Sequence, residues 1–289
     1  MSEPLSRGPS VWRRFTRHRA AAASLAWFAL VALACLLAPA LAPYPFDGID
    51  LDSVRQPPSP SHWMGTDDLG RDVLTRMLFG GRVSILIGIL AALLGTLLGT
   101  AIGASAGYYG GILDGILMRI TDVAYAIPTL PLLIVLSAYS RAALPSMVLI
   151  IGFLSWMTTA RVVRSQVLTI KEMDYVEAAR SMGATDWRIL SRHIVPNALG
   201  PILVGATLGI ANAIMIESSL SFLGLGVQPP IPTWGNMLMD SQATMATKPW
   251  LMLFPGLAIL LIVLAVNFMG RGLSDALDPG DPGLERLPE

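Results

Sequence analysis

Charge is scarce in this sequence. Of its 289 residues only 14% are Asp, Glu, Lys or Arg, whereas 53% are hydrophobic and the mean hydropathy is +0.59. That is more apolar residue than a soluble domain needs to fill its core, so the chain reads as an integral membrane protein. The 20 basic residues balance the 20 acidic ones, which leaves no bulk attraction toward nucleic acid. A single cysteine, Cys35, excludes an intrachain disulfide. The three histidines, His18, His62 and His193, stand far apart without metal-ligand spacing, so no metal site is expected from this chain alone. The only lysines, Lys171 and Lys248, are followed by Glu172 and Pro249, and neither completes a Gly-x-x-x-x-Gly-Lys-Ser/Thr nucleotide loop. Gly-x-Ser-x-Gly is also missing and no histidine falls in an apolar run, so an intramembrane hydrolase would have no base beside its nucleophile. The chain is expected not to be an enzyme.

Long apolar runs are what the chain has in abundance. After a polar tail over residues 1–19, residues 20–42 can cross about 30 Å of hydrocarbon and form the first span. A cleaved signal peptide ending at Ala40-Leu41-Ala42 is the rival reading; the length of the run and Pro43 argue against it. Residues 43–82 are polar and proline-rich and are expected outside the bilayer. Val73, Leu74, Met77 and Leu78 there share a helical face that would lie at the interface. A core over residues 83–270 follows. Its spans are expected at 83–107, 123–140, 145–159, 199–222 and 250–269, the third bent by Pro128 and Pro131. The fourth should run on as helix through Arg161 and Arg164. Residues 108–122 read as a short loop, 224–249 as a second outside segment, and 271–289 as a tail. Ala91, Gly95, Gly99, Gly103 and Gly107 recur every four residues, a stripe that lets another helix backbone approach closely. Fourteen of the 20 basic residues fall on the side of the two tails, including Arg161, Arg164, Lys171, Arg180, Arg188 and Arg192; six fall on the other. That bias places both termini in the cytoplasm.

One long polar insertion interrupts the core at residues 172–197. Tyr175, Val176, Ala179 and Met182 recur at helical spacing, and Gly183-Ala184 breaks that helix. Thr185 and Asp186 can cap a second helix whose apolar stripe would be Trp187, Leu190 and Ile194, with Arg188 and Arg192 on another face and Pro196 as its stop. The expectation is a helix-turn-helix lying on the membrane surface. Glu177-Ala178-Ala179, three residues, Gly183, nine residues and a block ending in Pro196 resembles the EAA loop of ABC-type importer permeases. The block reads His193-Ile194-Val195-Pro196 where the general pattern has Ile-x-Leu-Pro, and in this it is similar to the dipeptide and oligopeptide branch. Gly65-Thr66-Asp67-Asp68-Leu69-Gly70-Arg71-Asp72 and the Glu217-to-Gly226 stretch Glu-Ser-Ser-Leu-Ser-Phe-Leu-Gly-Leu-Gly resemble the same branch.

The resemblance implies an all-α subunit of about six transmembrane helices in the cytoplasmic (inner) membrane, with a coupling helix in the insertion. It implies a homologous second permease, two cytosolic ATPase subunits that carry the ATP and Mg2+, and an extracytoplasmic substrate-binding protein; this chain itself would bind no cofactor. Glu177, Ala178, Ala179, Gly183, Ala184, Asp186 and Arg188 would then meet the ATPase. The cargo implied is a dipeptide or oligopeptide, with nickel as the alternative within the branch. Glu217, Asn212 and Ser221 are the translocation-path candidates, because a carboxylate at membrane depth is costly unless it faces water or a partner. Glu217 could instead reach interfacial water or a neighbouring backbone, and Asn212 and Asn267 could serve as interhelical hydrogen-bond glue. A self-sufficient secondary transporter is the rival from another class; it would call for several intramembrane charges, and the spans hold only Glu217.

Overall fold

The computed structural model describes residues 11–140 and 143–277. Arg7, Arg141 and Arg286, which enter the charge comparison, and most of the 271–289 tail lie outside the described residues. The described chain is helical, with one isolated antiparallel bridge, Thr66 to Asp72. The helices are α1 (Val11–Arg17), α2 (Arg19–Leu36), α3 (Ala38–Leu41), α4 (Val73–Tyr109), α5 (Gly111–Ala126), α6 (Thr129–Tyr139) and α7 (Leu144–Phe153). They continue with α8 (Trp156–Ile170), α9 (Asp174–Ser181), α10 (Asp186–Ile189), α11 (Val195–Asn197), α12 (Leu199–Phe222), α13 (Trp234–Ser241) and α14 (Trp250–Leu277). Four of them, α2, α4, α12 and α14, are long and apolar enough to cross a membrane, and counting the bent pairs α5/α6 and α7/α8 as one span each makes six.

Several boundaries differ from the sequence reading. The second span begins not at residue 83 but at Val73, where Asp72 caps α4 by accepting from Thr75 N at 2.8 Å. In its first turn Val73 packs with Met237 and Leu251. Residues 108–122 are not a loop. Gly110 (φ +64°) and Gly111 (φ +55°) turn the chain within two residues, a conformation that side chains other than glycine resist, and α5 starts at once. The third span is broken rather than bent. Ile127, which precedes Pro128, is held extended (ψ 126°), and α5 and α6 meet there at 83°, while Pro131 sits in the first turn of α6. The fourth runs on as helix through Arg161 and Arg164, but after a 42° break at Leu154-Ser155, where Ser155 Oγ bonds back to the Ile151 carbonyl at 2.6 Å.

The α4 helix holds the centre. On one side α4 lays its glycine row on α8: an added Cβ at Gly95 would fall 2.9 Å from Ser155 Cβ, at Gly99 2.6 Å from Thr159 Cβ and at Gly107 2.9 Å from Val167 Cβ. One at Gly103 would run into the Ala160 carbonyl. Ala91 is buried in the same helix, beside Leu133 and Ile151 of the α6/α7 layer. On its other side α4 packs with α2, α12, α13 and α14 through Cys35, Ile85, Ile214, Trp234 and Ile262. Phe15 and Ala21 pack on Ala276, and Gly200 at the start of α12 faces Leu277, so both described chain ends lie on the face where α12 begins. The opposite face is closed by a charged cluster. Asp67 pairs with Arg71 at 2.7 Å and Arg76 at 3.3 Å, and Asp240 lies 3.5 Å from Arg76 and 3.7 Å from Arg71. Burial pushes the Asp240 carboxyl above the usual carboxylate range, with Arg76 and Arg71 pulling it back.

Candidate functional site

The 172–197 insertion is built on a buried underside. Val176, Ile189, Leu190 and Ile194 pack on Ala104 and Tyr108 of α4, Val163, Val167 and Ile170 of α8, Ala198 at the cap of α12 and Ile202 within it. The turn between α9 and α10 is made by Gly183 in a left-handed conformation (φ +80°), and Thr185 caps α10 by accepting from Arg188 N. Trp187 is not part of the buried stripe. A π-helical stretch over Leu190–Ile194 widens the turn to five residues, which brings Ile189 onto the face of Ile194 and turns Trp187 out to 78% exposure. Nor does Pro196 stop the helix: its missing N–H falls beyond the π-turn, and the chain continues through α11 into α12.

The outer surface of the insertion is apolar where it is most prominent. Met182 is 82% exposed beside Gly183, and Met173 and Tyr175 are exposed as well. Glu177, Ala178, Gly183 and Arg188 are exposed on it, Ala184 is half-buried, and Ala179 is turned inward with Val176. Asp186 is held, since the Tyr108 hydroxyl donates to its Oδ1 at 2.7 Å. Sequence reasoning missed Tyr108 altogether; its one signal is a polar aromatic at the very end of a long apolar helix.

A cavity of about 1090 Å³ opens between α8 and α12 beside the insertion. Its polar lining is Ser155, Thr158, Thr159, Gln166, Asn197, Asn212 and, from α14, Ser274, with no charged side chain among its lining residues. A smaller cavity of about 210 Å³ continues from Ser155, Thr158 and Asn212 to Tyr125 and Thr129, at the two helix breaks. Asn212 is the one translocation-path candidate that lines these cavities. Glu217 and Ser221 line neither. Glu217 is 0% exposed and accepts from Ser221 Oγ at 2.7 Å and Ser84 Oγ at 3.1 Å, while Ser84 Oγ itself accepts from Trp234 N at 3.2 Å. The carboxylate thereby fastens α12 to α4 and α13. Asn267 donates to the Val263 carbonyl within its own helix at 2.8 Å.

Residues 99–280 match the family model of the binding-protein-dependent transport system inner membrane component, and residues 6–58 match that of the N-terminal transmembrane domain of oligopeptide transport permease C. A glutathione transport system permease protein of Pectobacterium atrosepticum is 45% identical over 270 residues, covering 93% of this chain and 89% of that one. An oligopeptide transport system permease protein of Mycobacterium tuberculosis is 38% identical over 288 residues, 99% of each chain. In fold the chain is similar to an inward-facing MetNI methionine ABC transporter, with a TM-score of 0.56 at 17% identity, over 68% of this chain and 93% of that one.

Proposed function

The chain belongs to the family of binding-protein-dependent transport system inner membrane components, and on that premise we propose that it passes dipeptides or oligopeptides through the α8/α12 cavity, driven by ATPases docked on residues 172–197. It is a permease subunit of an ABC importer and lies in the membrane. Peptide is favoured over nickel because the relatives are named for glutathione and oligopeptide transport. An uncharged, largely apolar lining interspersed with amide and hydroxyl groups suits a cargo whose constant feature is its own amide backbone.

One observation carries the mechanism: the two helices that the insertion joins supply most of the cavity's lining, with Ser274 and Leu277 of α14 completing it. α8 leads into it and α12 leaves it, and both share its buried core. A closing pair of ATPases would displace the insertion and thereby move both walls, switching access to the cavity. The face with the insertion and both described chain ends is then cytoplasmic, as the bias of basic residues requires. A homologous second permease, two ATPase subunits and an extracytoplasmic binding protein complete the assembly.

Met182 and Trp187 are the anchors this reading supplies to the ATPase. Trp187→Asp and Met182→Asp, at side chains 78% and 82% exposed, should leave membrane abundance unchanged. Removing a central aromatic anchor costs about 2 kcal/mol or more, so ATPase co-purification should fall about 30-fold and uptake with it. Wild-type co-purification and uptake in both variants would show that residues 172–197 are not the docking element.

A further inference from the structure

The insertion is continuous with α8 and α12 but not with α4, and yet α4 is the helix it grips. Building on the docking reading above, we propose that Tyr108 is a positioning residue that hands the movement of the insertion to α4, and that α4 relays it to the charged cluster on the opposite face.

Three separate parts of the insertion region converge on the last turn of α4. Lys171 Nζ, ahead of α9, donates to the Gly107 carbonyl at 3.1 Å. The Arg180 guanidinium, in the last turn of α9, stands 5.9 Å from the centre of the Tyr108 ring. Asp186, the first residue of α10, takes the Tyr108 hydroxyl at 2.7 Å. The ring itself is buried in the core shared by the insertion, α8 and α12. The hydroxyl is thus the one polar group that α4 sends into the two-helix unit bearing the docking surface.

From there α4 runs as one uninterrupted helix of 37 residues, about 55 Å at the helical rise. The glycine row holds it against α8 at backbone contact, and an interface so tightly packed transmits displacement rather than absorbing it. At the far end α4 carries Arg76, buried between Asp67 and Asp240, and the Met77 carbonyl, which accepts from Trp234 Nε1 at 3.0 Å. Asp240 and Trp234 belong to α13. A shift of α4 along or about its axis therefore reaches α13 and the 65–72 turn, the surfaces that face away from the ATPases.

The experiment uses the complete reconstituted transporter with its binding protein and a peptide cargo. Tyr108→Phe removes the hydroxyl and keeps the ring in place. Abundance, ATPase co-purification and basal ATP hydrolysis should stay at wild-type level. The ratio of cargo-stimulated to basal hydrolysis, and uptake with it, should fall about fivefold to tenfold, the scale of one charge-assisted hydrogen bond at a partly exposed site. Asp186→Asn, which retains an acceptor oxygen, should lose less of that ratio than Asp186→Ala. Combining Tyr108→Phe with Asp186→Ala should lose no more than Asp186→Ala alone. Full stimulation in Tyr108→Phe, losses that multiply in the double variant, or loss of the ATPase from Tyr108→Phe would each overturn the relay. Failure of the docking reading itself shows separately, as ATPase retained by Trp187→Asp.

Discussion

Gly99 sits where a side chain has nowhere to go, since its added Cβ would stand 2.6 Å from both Thr159 Cβ and the Trp156 carbonyl oxygen. Only backbone movement could relieve that contact. Gly99→Leu should therefore separate α4 from α8 and lower stability by about 3 kcal/mol or more, above the usual cost of overpacking. Gly115→Leu, at a position with nothing within 4 Å, should be silent. Thermal unfolding of the two variants in detergent makes the comparison, and equal midpoints would show that the stripe does not hold the bundle. Glu217 poses the opposite problem, a buried acceptor whose partners are serines of α4 and α12. Glu217→Ala would strand those hydroxyls at a cost of about 1 to 3 kcal/mol, whereas Glu217→Gln keeps an acceptor oxygen and should fold and transport close to wild type. Loss of uptake in a fully stable Glu217→Gln variant would instead give the carboxylate charge a part in translocation. The glycine row was legible because its period of four matches one helix face. The serine partner from α4 was not, because Ser84 and Glu217 are joined only by the packing of two helices distant in sequence.

At the scale of elements, the apolar runs located the membrane segments and the prolines announced the interruption at Pro128, while the break at Ser155 and the helix over Gly111–Ala126 escaped notice. Residues 108–122, read as a short loop, carry Leu113, Ile116, Leu117 and Ile120 at helical spacing and also the charges Asp114, Arg119 and Asp122. The two acids are paired: Asp114 meets Arg164 at 2.5 Å and Asp122 meets Arg161 at 2.8 Å, which ties α5 to α8. The break at Ser155 carries no proline to announce it. The side of each element can be tested directly, because Cys35 is the single cysteine and is buried. With Cys35 replaced by serine, Met182→Cys and Leu51→Cys place thiols at two exposed sites on opposite faces. An impermeant thiol reagent should label position 51 and not position 182 in intact cells, and both after permeabilisation. The reverse pattern would invert the topology.

At the scale of the whole molecule, the chain presents exposed apolar side chains on residues 172–197, and its sequence carries no nucleotide loop. The purified active complex should contain two ATPase subunits and a second, homologous permease, counted by native mass spectrometry; full transport by a homo-oligomer of this chain alone would refute that composition. The sequence by itself determined the membrane class, the positions of the long apolar segments and the presence of a polar insertion among them. Hydropathy, basic-residue bias and turn residues act locally, so each leaves its mark on contiguous residues. Only the tertiary structure decided that Trp187 points outward while Ile189 points in, that Glu217 is a fastener, and that Asn212 faces a cavity walled by the helices flanking the insertion. Those outcomes depend on a π-turn that shifts helical phase and on contacts between segments more than a hundred residues apart, such as Ser84 with Glu217. No local pattern encodes them, because they arise from how whole helices fit together.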